Sequence, residues 1–266
     1  MSTPKGVFSS VTRMGLYEPF NLQVSRGQIT GHKTLFKFGS NPVVDAALET
    51  VWSQGGIYVY PSAATVMKVS SSSAADTGSG TGAQTVTVSG LDANYNEISE
   101  VITLNGQTEV LTTNSFIRVF RAFVNTAGSG ATAAGDIYVG VGVVTAGVPA
   151  TVYAKIPLGA NQTLMAVWTV PAGYTAYIDQ GTFSAAGSNT NHSIKGQLCF
   201  RPFGGVMRVG AELGISSGFA LFNFEYPIAF PEKTDIEARA LALSGTGFYV
   251  AATFDLIYIK DDSQTP

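Results

Sequence analysis

The chain has 266 residues, enough for one or two domains. Only 12% of the residues are charged, about half of the roughly 25% that is usual in soluble domains, and the net charge is −3. This balance leaves no basic surface for phosphates, so we expect no direct binding of nucleic acid. Glycines and a proline interrupt the long uncharged stretch at residues 137–154, so we also expect no membrane span.

A surface this poor in charge suggests that partner subunits cover much of it. The alternative is a β-rich protein whose polar surface is simply uncharged. The single cysteine, Cys199, excludes an internal disulfide and any metal cluster built on cysteines. The first residues, MSTPKGVFSS, contain no apolar core of a signal peptide, so we expect no cleavable leader.

Residues 1–27 predict an extended N-terminal arm, because their apolar residues follow neither the strand nor the helix period. Such an arm normally becomes ordered only through contacts with a neighbour. We therefore assign candidate interface roles to four of its large apolar residues, which are Phe8, Leu16, Tyr17 and Phe20.

The segment 28–148 predicts a β-sandwich-like domain. Short alternating stretches are separated by small-residue loops at 70–82 and 128–135, and the pattern of 84–104 predicts a β-hairpin. Residues 43–52 could form a helix or a strand, and we leave both open. The other predicted strands are 28–38, 56–60, 65–70, 110–112, 116–124 and 137–144.

The segment 149–260 predicts a jelly-roll-like β-domain, followed by a polar C-terminal tail at 261–266. Prolines at 149 and 157 flank the strand that would link the two domains. The predicted strands are 151–156, 162–170, 174–185, 193–201, 206–213, 219–226, 234–242 and 247–259. The fold class is therefore all-β, an N-terminal arm followed by two β-sandwich or jelly-roll-like domains.

Two short motifs match catalytic signatures but lack the partners that the chemistry needs. Residues 214–218 read GISSG, the pattern of a hydrolase nucleophile turn. Both histidines of the chain, His32 and His192, precede Ser216 instead of following it. Residues 76–78 read DTG, but aspartic-protease chemistry needs a second carboxylate and the sequence has no second copy. We interpret both motifs as loops and predict no catalytic residues and no enzymatic activity.

The sequence also offers weak ligand patterns. Residues 92–96, DANYN, look like the start of a calcium loop, but Glu97 occupies the position that requires glycine, so a hairpin turn is the better interpretation. His32 and His192 have no third ligand near them in sequence. The glycine-rich segment 78–82 is not followed by the lysine of a phosphate loop. We therefore predict no metal and no cofactor.

Aromatic residues are the remaining candidates for a binding site. Trp52, Tyr58 and Tyr60 cluster in one segment, and Tyr174 and Tyr177 follow a turn. Such residues can stack on sugars or anchor an interface. They can equally belong to the core of a sandwich.

Four segments resemble virion structural proteins of tailed bacteriophages, particularly marine and cyanobacterial ones. They are residues 82–124, the WSQGG of 52–56, the NQTLMAVWTVPAGYTAYI of 161–178 and the FPEKTDIEARA of 230–240. The resemblance implies presence in the virus particle and transfers no catalytic or ligand residue.

The function we expect is that of a non-enzymatic virion structural protein. In the first hypothesis it is a capsid decoration or cement protein, a homo-oligomer and specifically a trimer, which bridges subunits of the major capsid protein and is assembled into the virion in the host cytoplasm. A tail or fibre module that binds host glycans is the alternative, and another tail or neck component is a further one.

Overall fold

The computed structural model describes residues 18–187, 193–216 and 218–261. Within them the chain forms one short helix and sixteen strands, which confirms the all-β fold class. Phe8, Leu16, Tyr17, His192 and the tail residues 262–266 lie outside the described residues. The elements are α1 (Phe20–Ser25), β1 (His32–Val44), β2 (Glu49–Thr50), β3 (Thr65–Ser71), β4 (Ala83–Leu91), β5 (Glu97–Thr103), β6 (Val110–Phe116), β7 (Arg118–Ala127), β8 (Ile137–Thr145), β9 (Val148–Ile156), β10 (Val167–Thr169), β11 (Tyr174–Ala186), β12 (Ser193–Arg201), β13 (Arg208–Ile215), β14 (Gly218–Phe230), β15 (Asp235–Ser244) and β16 (Phe248–Lys260).

The first and last parts of the chain together form a jelly roll of two antiparallel sheets. One sheet has the order β1-β16-β11-β14, and the other has the order β10-β15-β12-β13, with β2 also paired to β15. If β2 and β10 are counted as one strand, the first strand pairs with the last, the second with the seventh, the third with the sixth and the fourth with the fifth. This nested pairing is the connectivity of a jelly roll.

The second strand of this jelly roll is interrupted by an inserted domain. Strands β2 and β10 lie end to end along β15. At the splice, the Val51 N–H donates to the Ala238 carbonyl at 2.8 Å, and the Ala238 N–H donates to the Ala166 carbonyl at 2.9 Å. The chain therefore leaves the strand after Val51 and re-enters it at Ala166, and residues 52–165 form the insertion.

The inserted domain is itself a sandwich with its own core. Its sheets have the orders β6-β3-β8-β9 and β5-β4-β7. Most residues of β3 and β4 are buried, as expected for strands at the centre of two sheets that pack against each other. Fully buried side chains include Met67, Phe116, Ile137 and Ile156 here, and Phe183, Phe230 and Phe254 in the jelly roll.

The strand pairing groups the chain differently from the two predicted domains. The segment 28–148 is predicted to form one domain, whereas β1 and β2 pair within the jelly roll, where His32 lies opposite Ile259 across more than two hundred residues. The segment 149–260 is predicted to form the second domain, whereas its first strand, β9, pairs with β8 of the insertion. Local patterns cannot reveal this arrangement, because the strands that pair at the boundary are distant in sequence.

Three local predictions also need correction. Within the arm predicted for 1–27, residues 20–25 form a helix, whose first turn closes onto the Pro19 carbonyl. Residues 56–60 are irregular, and only three residues of 162–170 form a strand. Residues 43–52 contain the end of β1, a turn and β2, so the helix alternative is wrong.

Candidate functional site

The serine of the GISSG motif lies at a turn between strands, as we predicted. Ser216 follows the last residue of β13, and Gly218 begins β14. His32 lies at the start of β1, where its Nδ1 is 3.0 Å from the Thr30 carbonyl oxygen. The motif therefore lies where the chain passes from β13 in one sheet to β14 in the other, without the strand–turn–helix setting of a hydrolase nucleophile.

The aspartate of the DTG motif organises two loops of the inserted domain. Asp76 is fully buried. Its Oδ1 accepts the N–H groups of Ala83 at 2.7 Å and Ala134 at 2.8 Å, and its Oδ2 accepts the Gly135 N–H at 3.0 Å and the Ser71 hydroxyl at 2.5 Å. Four donors saturate the carboxylate and fix it to the loops 72–82 and 128–136.

The DANYN segment forms the hairpin turn that we predicted between β4 and β5. Asp92 Oδ1 accepts the N–H groups of Asn94 at 2.8 Å and Asn96 at 2.9 Å. These bonds lower the pKa of Asp92 more than its slight burial raises it. An aspartate that holds its own turn in this way is a common turn device.

The described residues contain no group of three or more histidine, cysteine, aspartate or glutamate side chains placed to hold a metal ion. The glycine-rich segment 78–82 packs against the loop at 128–130 through backbone contacts, because a Cβ at Gly128 would lie 2.1 Å from the Gly80 carbonyl oxygen. Cys199 is buried, and burial raises the pKa of its thiol to about 11, which makes it unreactive.

Four of the five aromatic residues singled out in the sequence are engaged inside the protein. Trp52 and Tyr58 are buried, and the Tyr58 hydroxyl donates to the Val119 carbonyl at 3.0 Å. Tyr60 lies between the two domains. Tyr174 is half-buried with its ring 5.3 Å from that of Tyr258. These four residues therefore offer no open platform on which a sugar ring could stack, whereas Tyr177 on β11 is partly exposed.

A buried cluster of charges joins the inserted domain to the jelly roll. Asp235 begins β15 and is only 2% exposed. Arg118 of β7 reaches it with two hydrogen bonds of 2.7 and 3.0 Å, and Arg201 of β12 adds bonds of 2.5 and 3.0 Å. Thr169 donates a further bond to the carboxylate. Burial alone would lower the pKa of Arg118, but Asp235 outweighs it and the net shift is upward.

Tyr60 completes this cluster, and sequence reasoning missed its role. The guanidinium of Arg118 lies 5.0 Å from the centre of the Tyr60 ring, and that of Arg201 lies 4.5 Å from it. The Tyr60 hydroxyl donates to buried Glu237, which also pairs with Arg239. Burial raises the pKa of Tyr60 and of Glu237. The sequence shows no signal for this cluster because its members are spread from residue 60 to residue 239.

A buried lysine at the same junction has no acidic partner among the contacts that the structure shows. Lys37 of β1 donates to the Phe120 carbonyl on β7 and is 6% exposed. Burial, together with the nearby charge of Arg121, lowers the pKa of Lys37 to about 7. The unfolded chain has the ordinary lysine pKa of about 10.4, so it binds more protons than the folded protein between these values.

This difference predicts the pH dependence of stability that Lys37 causes. Its contribution to the free energy of unfolding rises with pH from about 7 to about 10.4, by roughly 2 kcal/mol between pH 7 and pH 9. We expect Lys37→Met to remove this rise and to be more stable than the unmodified protein at pH 7. Urea unfolding at the two pH values measures both effects.

Lys33 on the same strand provides the control. Burial lowers the pKa of Lys33, but its hydrogen bond and charge attraction to Glu97 outweigh this, and the net shift is upward. Lys33→Met should therefore leave the difference between pH 7 and pH 9 unchanged. If the two variants show the same difference in the free energy of unfolding between pH 7 and pH 9, the inference that the pKa of Lys37 is lowered by burial is wrong.

One face of the jelly roll is not covered by any described part of the chain. Outward side chains of β1, β16, β11 and β14 form it, and we call it the outer face. One row of paired residues crosses the four strands at its centre and consists of Phe38, Thr253, Thr182 and Leu221. The larger residues of the outer face are Phe36, Phe38, Tyr249, Thr253, Phe219 and Leu221. Phe36 and Phe219 are 61% and 71% exposed.

An open groove of about 350 Å³ lies at this outer face, lined by residues of the paired strands β1 and β16 and by Leu164 at the edge of the inserted domain. The rings of Phe36 and Phe38 stack at one side with their centres 5.7 Å apart, and Tyr249 and Ala251 form the other side. Exposed apolar patches of this kind are typical of surfaces that bind another protein.

Of the four interface residues predicted in the arm, only Phe20 lies in the described part. It is 45% exposed on α1, and its ring packs edge-on against His32 with the centres 6.0 Å apart. Nothing in the structure tests whether Phe20 contacts another subunit, so this role stays a prediction.

No protein-family model matches the chain, and no curated protein matches it. Solved structures with low similarity are particles of two viruses. The T=1 particle of infectious bursal disease virus is 11% identical, with a TM-score of 0.25, and the alignment covers 88% of this chain and 71% of that one. The Gt strain of the same virus is 12% identical, with a TM-score of 0.25 and coverages of 94% and 80%. Empty particles of cowpea mosaic virus are 11% identical, with a TM-score of 0.20 and coverages of 73% and 82%.

Similarity this low assigns the chain neither to a family nor to a function. The jelly-roll connectivity rests on the strand pairing of this chain itself. Within its described part, no helix is both long and apolar enough to cross a lipid bilayer.

Proposed function

We propose that the chain is a non-enzymatic structural protein of a virus particle, and specifically a decoration or cement protein on the head of a tailed bacteriophage. The observation that carries the proposal is the uncovered apolar outer face on a chain with few charges. A free soluble protein rarely leaves such a face open, whereas a protein that is packed among neighbours covers it.

The motifs that suggested chemistry support this proposal by their structural roles. Asp76 fixes two loops, Asp92 holds a turn, and Ser216 follows β13 in the connection to β14. The buried carboxylates Asp235 and Glu237 at the domain junction are paired with arginines. The resemblance of four sequence segments to virion proteins of tailed bacteriophages supports the same role.

The proposed mechanism is passive stabilisation of the shell. A protein that binds the assembled capsid in preference to free subunits stabilises the assembled state by mass action. Its partners would be the major capsid protein and further copies of itself, arranged as a trimer. Tyr174 packs against Tyr258, so the pair of Tyr174 and Tyr177 gives no specific support to a glycan-binding tail module.

Immunogold labelling of purified particles of the virus that encodes the chain tests the proposal. We expect gold particles distributed over the head. Gold confined to the tail would contradict the decoration role while keeping a structural one. No gold on intact particles, together with no band for the chain in their denatured protein, would contradict a virion role altogether.

A further inference from the structure

We propose that the outer face of the jelly roll binds the N-terminal arm, residues 1–17, of a neighbouring copy of this chain. The inference rests on the proposed role of an assembled protein, and it names the contact between copies. Three properties of the molecule support it, which are the shape of the face, its charge and the position at which the arm leaves the fold.

The shape of the outer face suits an extended segment with apolar side chains. The groove is lined by large apolar side chains of β1 and β16, among them Phe36, Phe38 and Tyr249. The arm supplies matching residues at irregular intervals, namely Val7, Phe8, Val11, Met14, Leu16 and Tyr17. Apolar area that leaves water contributes about 25 cal/mol per Å², so covering the groove favours association.

The charge of the four strands is opposite to that of the arm. Their acidic residues are Asp179, Glu225 and Asp255. The two lysines of β1 are bonded on the inner side, Lys33 to Glu97 and Lys37 to a backbone carbonyl, and the only other cation is the last residue of β16. The arm carries two cations and no acid. Complementary charge of this kind steers and orients a docking segment.

One carboxylate of the outer face has a buried oxygen that no described residue binds. Asp255 Oδ2 accepts the Gln180 amide at 2.7 Å, whereas its Oδ1 is buried and has no hydrogen-bond partner among the described residues. Asp255 lies on β16 directly opposite Phe36, next to the groove. A rotation of the Asp255 side chain would bring this oxygen to the surface, where a cation of the arm, Lys5 or Arg13, or one of its backbone N–H groups could donate to it.

The start of the described chain is fixed beside the same sheet. Glu18 pairs with Arg26, and the Glu18 backbone carbonyl accepts the Gln23 amide at 2.6 Å. Residues 1–17 therefore join the fold next to α1, near the His32 end of β1. Seventeen extended residues reach about 56 Å, which is longer than a strand of thirteen residues at about 43 Å.

Docking of this arm on a second copy would join two different surfaces of the same chain. Such a head-to-tail contact closes into a ring when the rotation between copies allows it. In a trimer, each copy would then give one arm and receive another.

Photo-crosslinking in the full chain tests this contact. The photoreactive residue p-benzoylphenylalanine replaces Phe36, and copies with and without ¹⁵N are refolded together in equal amounts before illumination. We expect cross-links from position 36 to residues 1–17, about half of them joining peptides of different label. The same probe at Leu111, which is 58% exposed on the inserted domain, is the control and should not reach the arm.

The pattern of cross-links shows whether the groove binds the arm of another copy, the arm of its own copy or a different segment. Cross-links to the arm that join only peptides of the same label would show that the arm folds back on its own copy, and would overturn the proposal. Cross-links to other segments, or none, would also overturn it. Inter-copy cross-links in a protein that is missing from virions would contradict the virion role and leave the arm contact intact.

A charge reversal gives an independent measurement. We expect Asp255→Lys to lower the yield of inter-copy cross-links by roughly tenfold, which corresponds to about 1.4 kcal/mol. Circular dichroism before illumination verifies that the variant is folded. An unchanged yield in a folded variant would overturn the role of Asp255 in binding the arm.

Discussion

Arg118→Met should lower the free energy of unfolding by about 3 kcal/mol or more. Arg118 is 7% exposed and makes two bonds to Asp235, which is 2% exposed, together with bonds to the carbonyls of Pro61 and Ile117. Removing one partner of a buried ion pair typically costs about 3–5 kcal/mol, because the remaining charge stays buried. Arg201 still neutralises part of Asp235, which places the expectation at the lower end of that range.

Urea unfolding at neutral pH measures this loss, and Arg121→Met is its matched control. Arg121 lies three residues further along β7, is exposed, and stacks on the Phe123 ring at 4.9 Å. An exposed cation–π contact contributes about 0.5–1 kcal/mol. If the two variants lose the same free energy of unfolding, the buried ion pair of Arg118 and Asp235 does not stabilise the contact between the two domains.

Asp76→Ala should cost about 4 kcal/mol and should loosen the inserted domain specifically. The substitution leaves three backbone N–H groups and the Ser71 hydroxyl without their acceptor. Each buried donor left unsatisfied costs about 1–3 kcal/mol, and water can reach only some of them. Amide hydrogen exchange should therefore accelerate at Ala83 and Gly135, in addition to the loss measured by urea unfolding.

Asp92→Ala is the control, because it removes the same kind of carboxylate from an exposed turn. Asp92 accepts the N–H groups of Asn94 and Asn96, but water can replace it there. We expect a loss below about 1 kcal/mol. If Asp92→Ala proves as costly as Asp76→Ala, burial does not explain the importance of Asp76.

The strands were predictable because their signal is local. Residues 84–104 alternate around a turn of Asp and Asn residues, and the structure places β4, the turn and β5 there. The GISSG and DTG motifs were also correctly interpreted as loops, since the sequence lacks the partners that catalysis requires. The predicted strand at 56–60 failed because tertiary contacts dominate there, and the Tyr58 and Tyr60 hydroxyls bond to Val119 and Glu237.

The sequence predicts the loop around Asp76 but not the hydrogen bonds that Asp76 makes. The segment of small residues around it predicts a loop, and a loop is what forms. The four donors come from residues 71, 83, 134 and 135, and their convergence requires the fold. The Lys37 and Arg118 contacts are invisible for the same reason, because each joins strands of different domains.

By itself, the sequence determined the all-β class, most strand positions and the absence of a recognisable catalytic motif, because each depends on residues that are close together in the chain. Tertiary structure alone decided that one jelly roll encloses an inserted sandwich, since β1 pairs with β16 and β2 continues into β10 along β15. It also decided which face stays open and which charges are buried. Strand pairing over long separations sets these features, and no local period records it.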